Sequence, residues 1–208
     1  MIVAFLFRIR NREAKELLST LFRVIVGVSG ASGAIYGLRL LERLRARPEA
    51  EIHLILTRSG EKTLHLETGK RAADLKALAH CWHPIENIGS SLASGSFPVN
   101  GMVIAPCSIH TMSAIAAGIT DNLLTRAADV TLKERRRLIL AVRETPLHSG
   151  HLRSMLALAE MGAVILPPVP AFYHQPRTIL DLVDHSVDRM LDLLGLPDPA
   201  ARRWTGPS

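Results

Sequence analysis

Cysteine is scarce in this chain: the 208 residues hold only Cys81 and Cys107. Two thiols cannot build a disulfide framework, so a reducing compartment, the cytoplasm, is the expected setting. Aromatic residues are few at 4%, yet the rest of the composition is that of an ordinary globular protein. No apolar run is long enough to span a bilayer. Internal repeats and linkers are absent, and the length suits one α/β domain with a substantial core. Metal-ligand spacing is missing too. His148 and His151 stand one helical turn apart with no third ligand nearby, and His80 and His83 merely flank Trp82.

Negative charge is in deficit, with a net charge of +6. That balance points to anionic ligands or an acidic partner. Much of it sits in the Arg8–Arg12 and Lys133–Arg137 clusters, which read as solvated faces, and no nucleic-acid motif accompanies them. Residues 1–20 stand apart. Met1–Phe7 is apolar and arginines follow it, the reverse of a secretory signal, so this leader is expected to lie outside the fold, leaving 21–208 as a single domain.

What the chain does have is Val24–Leu38: a β-branched run, the turn Ser29-Gly30-Ala31-Ser32-Gly33, and apolar residues at helical spacing from Ile35. Gly30 frees the backbone to turn, and Ser32 is expected to cap the helix. An anion, most often a phosphate, is the usual occupant of such a helix start. The spacing is not the full dinucleotide-binding fingerprint, because Ser29 stands where its first glycine would be.

Further strands are expected at Glu51–Thr57, Gly101–Pro106, Arg137–Val142 and Ala163–Leu166. Helices are expected over 59–67, 71–80, 109–117, 121–134, 151–161 and 178–194, with 81–97 as loop carrying at most one short strand. This alternation predicts a parallel sheet with helices on both faces, whose ligands bind beyond the carboxyl ends of the strands. The residues there are Gly30–Ser32, Thr57, Pro106–Ser108, Arg143-Glu144 and Pro167-Pro168.

Ser108 and Thr111 open a helix, as a cap and as a second hydroxyl and amide cradle. Cys107 lacks a partnered base, and a small buried hydrophobe is its expected role. Arg143 at a strand end can hold a phosphate bidentately, with Glu144 orienting it or handling a proton. The stretch Pro167–Pro176 is stiffened by proline. Either it packs Phe172 and Tyr173 into the core, or it presents them to a site, with the Tyr173 hydroxyl reaching an anion.

Taken together, SGASGAIYGLRLLE, ASGSF, GMVIAPCS, LLTRAADVTLKERR, RETPL, GAVILPPVPAFYHQP and the closing RRW resemble the UbiX/Pad family of flavin prenyltransferases, over about Arg23 to Trp204. The resemblance implies a three-layer, Rossmann-like, flavodoxin-type α/β domain that binds FMN. It implies that Gly30, Ala31, Ser32, Thr57, Ser108, Ile109, His110, Thr111 and Arg143 contact the flavin. Tyr173 and Arg189, supported by Lys133, would hold dimethylallyl phosphate, and Glu67, Arg126 and Glu144 match other polar positions of the site.

The implied reaction joins a dimethylallyl group to N5 and C6 of reduced FMN, with Glu144, Lys133, Tyr173 and Arg189 as its catalytic residues. No metal is required if arginines and a lysine hold the phosphate. The product would serve a UbiD-type decarboxylase, and the enzyme would be a homo-oligomer, often a dodecamer, with its site completed between subunits. Two other readings remain at this point. One is an FMN-dependent decarboxylase like the related cysteine decarboxylases, whose downstream Asn/Met motif is not found here. The other is a non-catalytic FMN carrier, which would have no use for a second phosphate site.

Overall fold

The computed structural model describes residues 21–201 together with 203, 204 and 206, so the leader lies outside the described residues. Six parallel strands form one sheet in the order β3-β2-β1-β4-β5-β6: β1 Phe22–Val28, β2 Ala50–Leu56, β3 Cys81–His83, β4 Gly101–Cys107, β5 Arg137–Val142 and β6 Val164–Ile165. Apart from the short edge strand β3, the order is that of flavodoxin-type sheets. With or without β3, it reverses between β1 and β4, which makes their carboxyl ends the expected binding crevice.

Side chains alternate between the two faces of each strand, so each face has its own core. Val24, Val26, Ile52, Leu54, Val103 and Ile139 meet three helices, α1 Ala34–Arg45, α2 Arg58–Thr68 and α3 Ala72–Leu78. The last helix, α7 Ile179–Leu194, covers the same face. Ile25, Ile55, Met102, Ile104, Leu138 and Leu140 meet α4 Ile109–Ala116, α5 Leu123–Lys133 and α6 Ser149–Glu160. The expected boundaries hold to within about two residues. Segment 81–97 carries β3 and one 3-10 turn, Ser91–Ala93. No described helix is long and apolar enough to cross a membrane.

Helix α7 shows why the last element forms. Val183, Val187, Met190, Leu191 and Leu194 are buried on one face. Thr178 and Asp181 form a reciprocal capping box, and Gly195, with φ of 88°, ends the helix. Its outer edge is clamped to α1 by ion pairs Arg39–Asp184 at 2.9 Å and Arg43–Asp188 at 2.6 Å. On its other side α1 packs close to β4: a Cβ at Gly37 would stand 2.3 Å from the Ala105 carbonyl oxygen.

Candidate functional site

The glycine-rich turn leaves β1 at the sheet reversal and enters α1 through Gly33, whose φ of 102° suits glycine. The expectation that Ser32 caps α1 is corrected here. Ser32 makes no cap bond. The Glu67 carboxylate, reaching back from the end of α2, accepts from the Gly33 amide (3.1 and 2.9 Å) and the Ala34 amide (2.8 Å). The positive end of α1 therefore already faces a negative charge supplied by the chain. A ligand phosphate at this edge has to use other donors.

Those donors lie close by. Thr57 caps α2, its hydroxyl accepting from the Gly60 amide at 2.9 Å and standing 3.2 Å from the Ser59 hydroxyl. A Cβ at Gly30 would fall 2.4 Å from Ser59 Oγ, so only glycine lets the turn sit against α2. Ser108 caps α4: its hydroxyl accepts from the Thr111 amide at 3.3 Å and donates to Thr111 Oγ1 at 3.1 Å. Ile109 and His110 complete the first turn, with His110 exposed.

Three strand ends are stitched together. The Ser29 hydroxyl donates to the Pro106 carbonyl and accepts from the Ser108 amide, both at 2.8 Å. The Arg143 amide donates to the Cys107 carbonyl at 3.1 Å, and Arg143 Nε donates to the Ser32 carbonyl, also at 3.1 Å. The guanidinium also lies 5.7 Å from the Tyr36 ring centroid. Glu144 is exposed, and its Oε1 accepts from the Thr145 amide at 3.1 Å. Ser32, Arg143, Glu144 and Pro167–Val169 line a cleft of about 330 Å³. Hydroxyls, amides and a guanidinium are the chemistry that binds a phosphate ester. Cys107 is fully buried, its thiol pushed up to about 12 by burial, which fits a packing residue and not a nucleophile.

Tyr173 and Arg189 line a different cleft, also about 330 Å³, with His185, Asp192, Arg203 and Trp204. The Tyr173 hydroxyl is hydrogen-bonded to His185 Nε2 at 3.3 Å, and its ring lies 5.4 Å from that of Trp204. Arg189 donates to Asp192 at 3.0 Å. Arg203 donates to both oxygens of the same carboxylate and holds it below the usual range. Asp188 lines the same cleft and pairs with Arg43 at 2.6 Å, so two guanidinium groups and two carboxylates meet there. Phe172 and Tyr173 are exposed, so the proline-rich segment presents its aromatics and does not bury them.

Lys133 is not brought to either cleft. It ends α5 at the amino edge of the sheet, paired with Glu134 and beside Gly95. Arg143 follows β5 at the opposite edge, a strand length of about 20 Å away. Helix α7, which carries Arg189, lies on the other face. The expectation that Lys133 supports the same phosphate fails within one copy of the chain. Arg126, in the first turn of α5, is paired with Asp129 at 2.7 Å. His148 has a role of its own, its Nδ1 accepting from the Gly150 amide at 3.0 Å as the cap of α6.

Sequence reasoning missed Ser29, Ser59, His185 and Arg203. The first two had a signal, a hydroxyl next to a strand end. The other two meet their partners only through the fold.

Known proteins resemble the chain over most of its length. The flavoprotein family matches residues 12–190. Flavin prenyltransferase UbiX of Escherichia coli is 54% identical over 186 residues, covering 88% of this chain and 98% of that protein. UbiX of Thauera aromatica is 54% identical over 88% of this chain and 94% of its own length. Among solved structures, AnUbiX in complex with FMN and dimethylallyl pyrophosphate superposes with a TM-score of 0.88 at 45% identity, covering 90% of this chain and all of that one. A dodecameric FMN-dependent UbiX-like decarboxylase from Escherichia coli gives 0.87 at 47% identity, over 89% of this chain and all of its own. The cysteine decarboxylase TvaF, at 18% identity and a TM-score of 0.57, shares the fold alone.

Proposed function

The chain belongs to the UbiX family of flavin prenyltransferases, and from that premise we propose that it transfers a dimethylallyl group from dimethylallyl phosphate to reduced FMN. The observation that carries this reading is the closed linkage of three strand ends, Ser29 to Ser108, Cys107 to Arg143 and Arg143 to Ser32, at the reversal of strand order. It sets hydroxyls and a guanidinium over the carboxyl edge, as a flavin phosphate requires.

FMN fits this donor set: Ser32, Thr57 and the first turn of α4 would hold its phosphate and polar edge, with Arg143 alongside. Bound in reduced form, it supplies the N5 and C6 that accept the prenyl carbons. The chain's own residues do the rest. Glu144 is exposed and accepts the Thr145 amide on Oε1, and its other oxygen would handle the proton. Arg189 and the Tyr173 hydroxyl bind the prenyl phosphate and stabilise its departure as charge builds on its oxygens. Pro167 and Pro168 wall the Arg143 cleft and exclude water from the allylic group.

The two clefts and Lys133 lie apart in one copy, and we infer that they meet between copies of a homo-oligomer, a dodecamer like the relative from Escherichia coli. The exposed Phe172, Tyr173 and Trp204 support that arrangement. The prenylated flavin would pass to a UbiD-type decarboxylase. The two free cysteines, one exposed and one buried, fit a cytoplasmic enzyme.

The test is anaerobic incubation with reduced FMN and, separately, dimethylallyl monophosphate and pyrophosphate, followed by mass analysis of the flavin. The expected result is a flavin heavier by one dimethylallyl unit. Unmodified flavin with both donors would leave a carrier of FMN as the better reading.

A further inference from the structure

Ser29 is the most enclosed polar residue at the sheet reversal, 1% exposed, and nothing in the reaction scheme uses it. Its hydroxyl spends both capacities on the neighbouring loop, donating to the Pro106 carbonyl and accepting from the Ser108 amide. Its own amide also donates to Pro106, at 3.2 Å. The first residue of the glycine-rich turn is thus fastened at two points to the stretch that leads into α4. Ser108, which receives the side-chain fastening, is the residue whose hydroxyl caps α4 through Thr111. On the other side, Arg143 ties Cys107 back to Ser32. Removing the Ser29 hydroxyl leaves the turn held to this stretch by its backbone amide alone and cuts its link to Ser108.

We propose that Ser29 is a positioning residue for the flavin site: its hydroxyl fixes the spacing between the Gly30–Ser32 turn and the α4 start, and through that spacing the affinity for FMN. The inference rests on the reading of this edge as the flavin site. The chemistry gives it a definite sign. Ser29→Ala leaves the part-buried Ser108 amide without its partner, and an amide shielded from water and unpaired is costly. The α4 start is then free to shift toward water, and the spacing of the cradle is held by the backbone bonds alone.

The test uses the full-length protein and two variants, Ser29→Ala and Ser29→Thr, the second keeping the hydroxyl. FMN affinity is read by quenching of flavin fluorescence, unfolding by Tm with and without FMN, and turnover by the KM for dimethylallyl phosphate. Ser29→Ala is expected to weaken FMN about tenfold, the scale of one buried hydrogen bond, and to shrink the rise in Tm that FMN confers. KM for dimethylallyl phosphate should stay within about twofold once FMN is saturating, because Ser29 has no hydrogen bond to Tyr173 or Arg189. Ser29→Thr should restore most of the FMN affinity.

A lower Tm with unchanged FMN affinity in Ser29→Ala would make Ser29 a packing residue only and overturn the proposal. If Ser29→Ala does not fold, Ser29→Cys keeps the branching of the side chain with a larger, weak donor and acceptor. It should then bind FMN several-fold less well than the parent, and equal binding would overturn the proposal. A parent that takes up no FMN would instead remove the reading of the flavin site itself.

Discussion

Arg189 and Tyr173 show how two residues can share a cleft and differ in weight. Arg189 is a cation that shares Asp192 with Arg203, which holds both of its oxygens, so Arg189 can turn to an arriving phosphate without leaving that carboxylate unpaired. Arg189→Ala should slow formation of prenylated flavin by 2–4 kcal/mol of transition-state binding, on the order of loss of one oxyanion donor. Tyr173→Phe keeps the ring against Trp204 and loses a single hydroxyl, so it should cost less, about 1–2 kcal/mol. Single-turnover assays on both variants check this, with FMN titration as the control. Near-parental turnover in Arg189→Ala, or loss of FMN in either variant, would contradict the assignment.

Glu67 is a different kind of residue, because its carboxylate occupies the helix start where Ser32 was expected to act. No sequence pattern links residue 67 to residue 33. The contact exists only because α2 returns alongside α1. Glu67→Gln keeps one acceptor but loses the charge facing the helix dipole, and should lower stability by about 1 kcal/mol in thermal or urea unfolding.

At the scale of elements, the strands were the legible part. β1, β4 and β5 are β-branched or aliphatic runs, buried on both faces over most of their length, and each is followed by a residue with site chemistry, Ser29, Ser108 or Arg143. Helix α7 was legible from its period and its Thr178 cap. The short strands β3 and β6 were hard to bound, because three and two residues carry little pattern. Element spacing, by contrast, hides in single glycines. At Gly37 a methyl group would meet the Ala105 carbonyl oxygen at 2.3 Å, and a strand backbone inside the sheet cannot retreat. Gly37→Ala should therefore cost at least about 2 kcal/mol, a fall in Tm of roughly 4–8 °C for a chain of this size. A variant as stable as the parent would mean that α1 can slide on β4.

A second element-scale feature joins β2 to β3. His53 Nδ1 and His83 Nε2 lie 3.0 Å apart, His83 Nδ1 is 2.8 Å from the Ser90 hydroxyl, and Glu51 Oε1 stands 3.2 Å from His53 Nε2. Burial lowers the pKa of both histidines; at His53 the nearby Glu51 carboxylate opposes that shift, while His83 and Arg23 add to it. Both thus take up a proton less readily in the folded chain than in the unfolded one. Below the ordinary histidine pKa of about 6.5 the unfolded chain binds more protons than the folded one, so stability falls as pH drops through that value. The predicted decline in Tm should be smaller in His53→Gln, which cannot take the proton. An equal decline in both proteins would place the acid sensitivity elsewhere.

At the scale of the whole molecule, the site residues fall into three groups that one copy cannot unite: Ser32, Arg143 and Glu144; Tyr173 and Arg189; and Lys133. The position of Lys133 was readable in principle, since a helix between two parallel strands ends at the amino edge of the sheet. Which surface of another copy lies beside it is written in no local pattern. If the reaction needs both Lys133 and Arg143, and they come from different copies, two inactive proteins should repair each other. Lys133→Ala and Arg143→Ala, each without turnover alone, are unfolded, mixed in equal amounts and reassembled. A site drawing Arg143 from one copy and Lys133 from its neighbour is intact whenever a Lys133→Ala copy supplies the first and an Arg143→Ala copy the second. Random assembly makes that about one site in four, so about a quarter of the parental rate should return. A site contained in one copy predicts no recovery, since every copy then lacks one of the two cations. Recovery near a quarter, measured as prenylated flavin per copy of the chain, would assign the reaction to the interface, and none would confine it to the single fold.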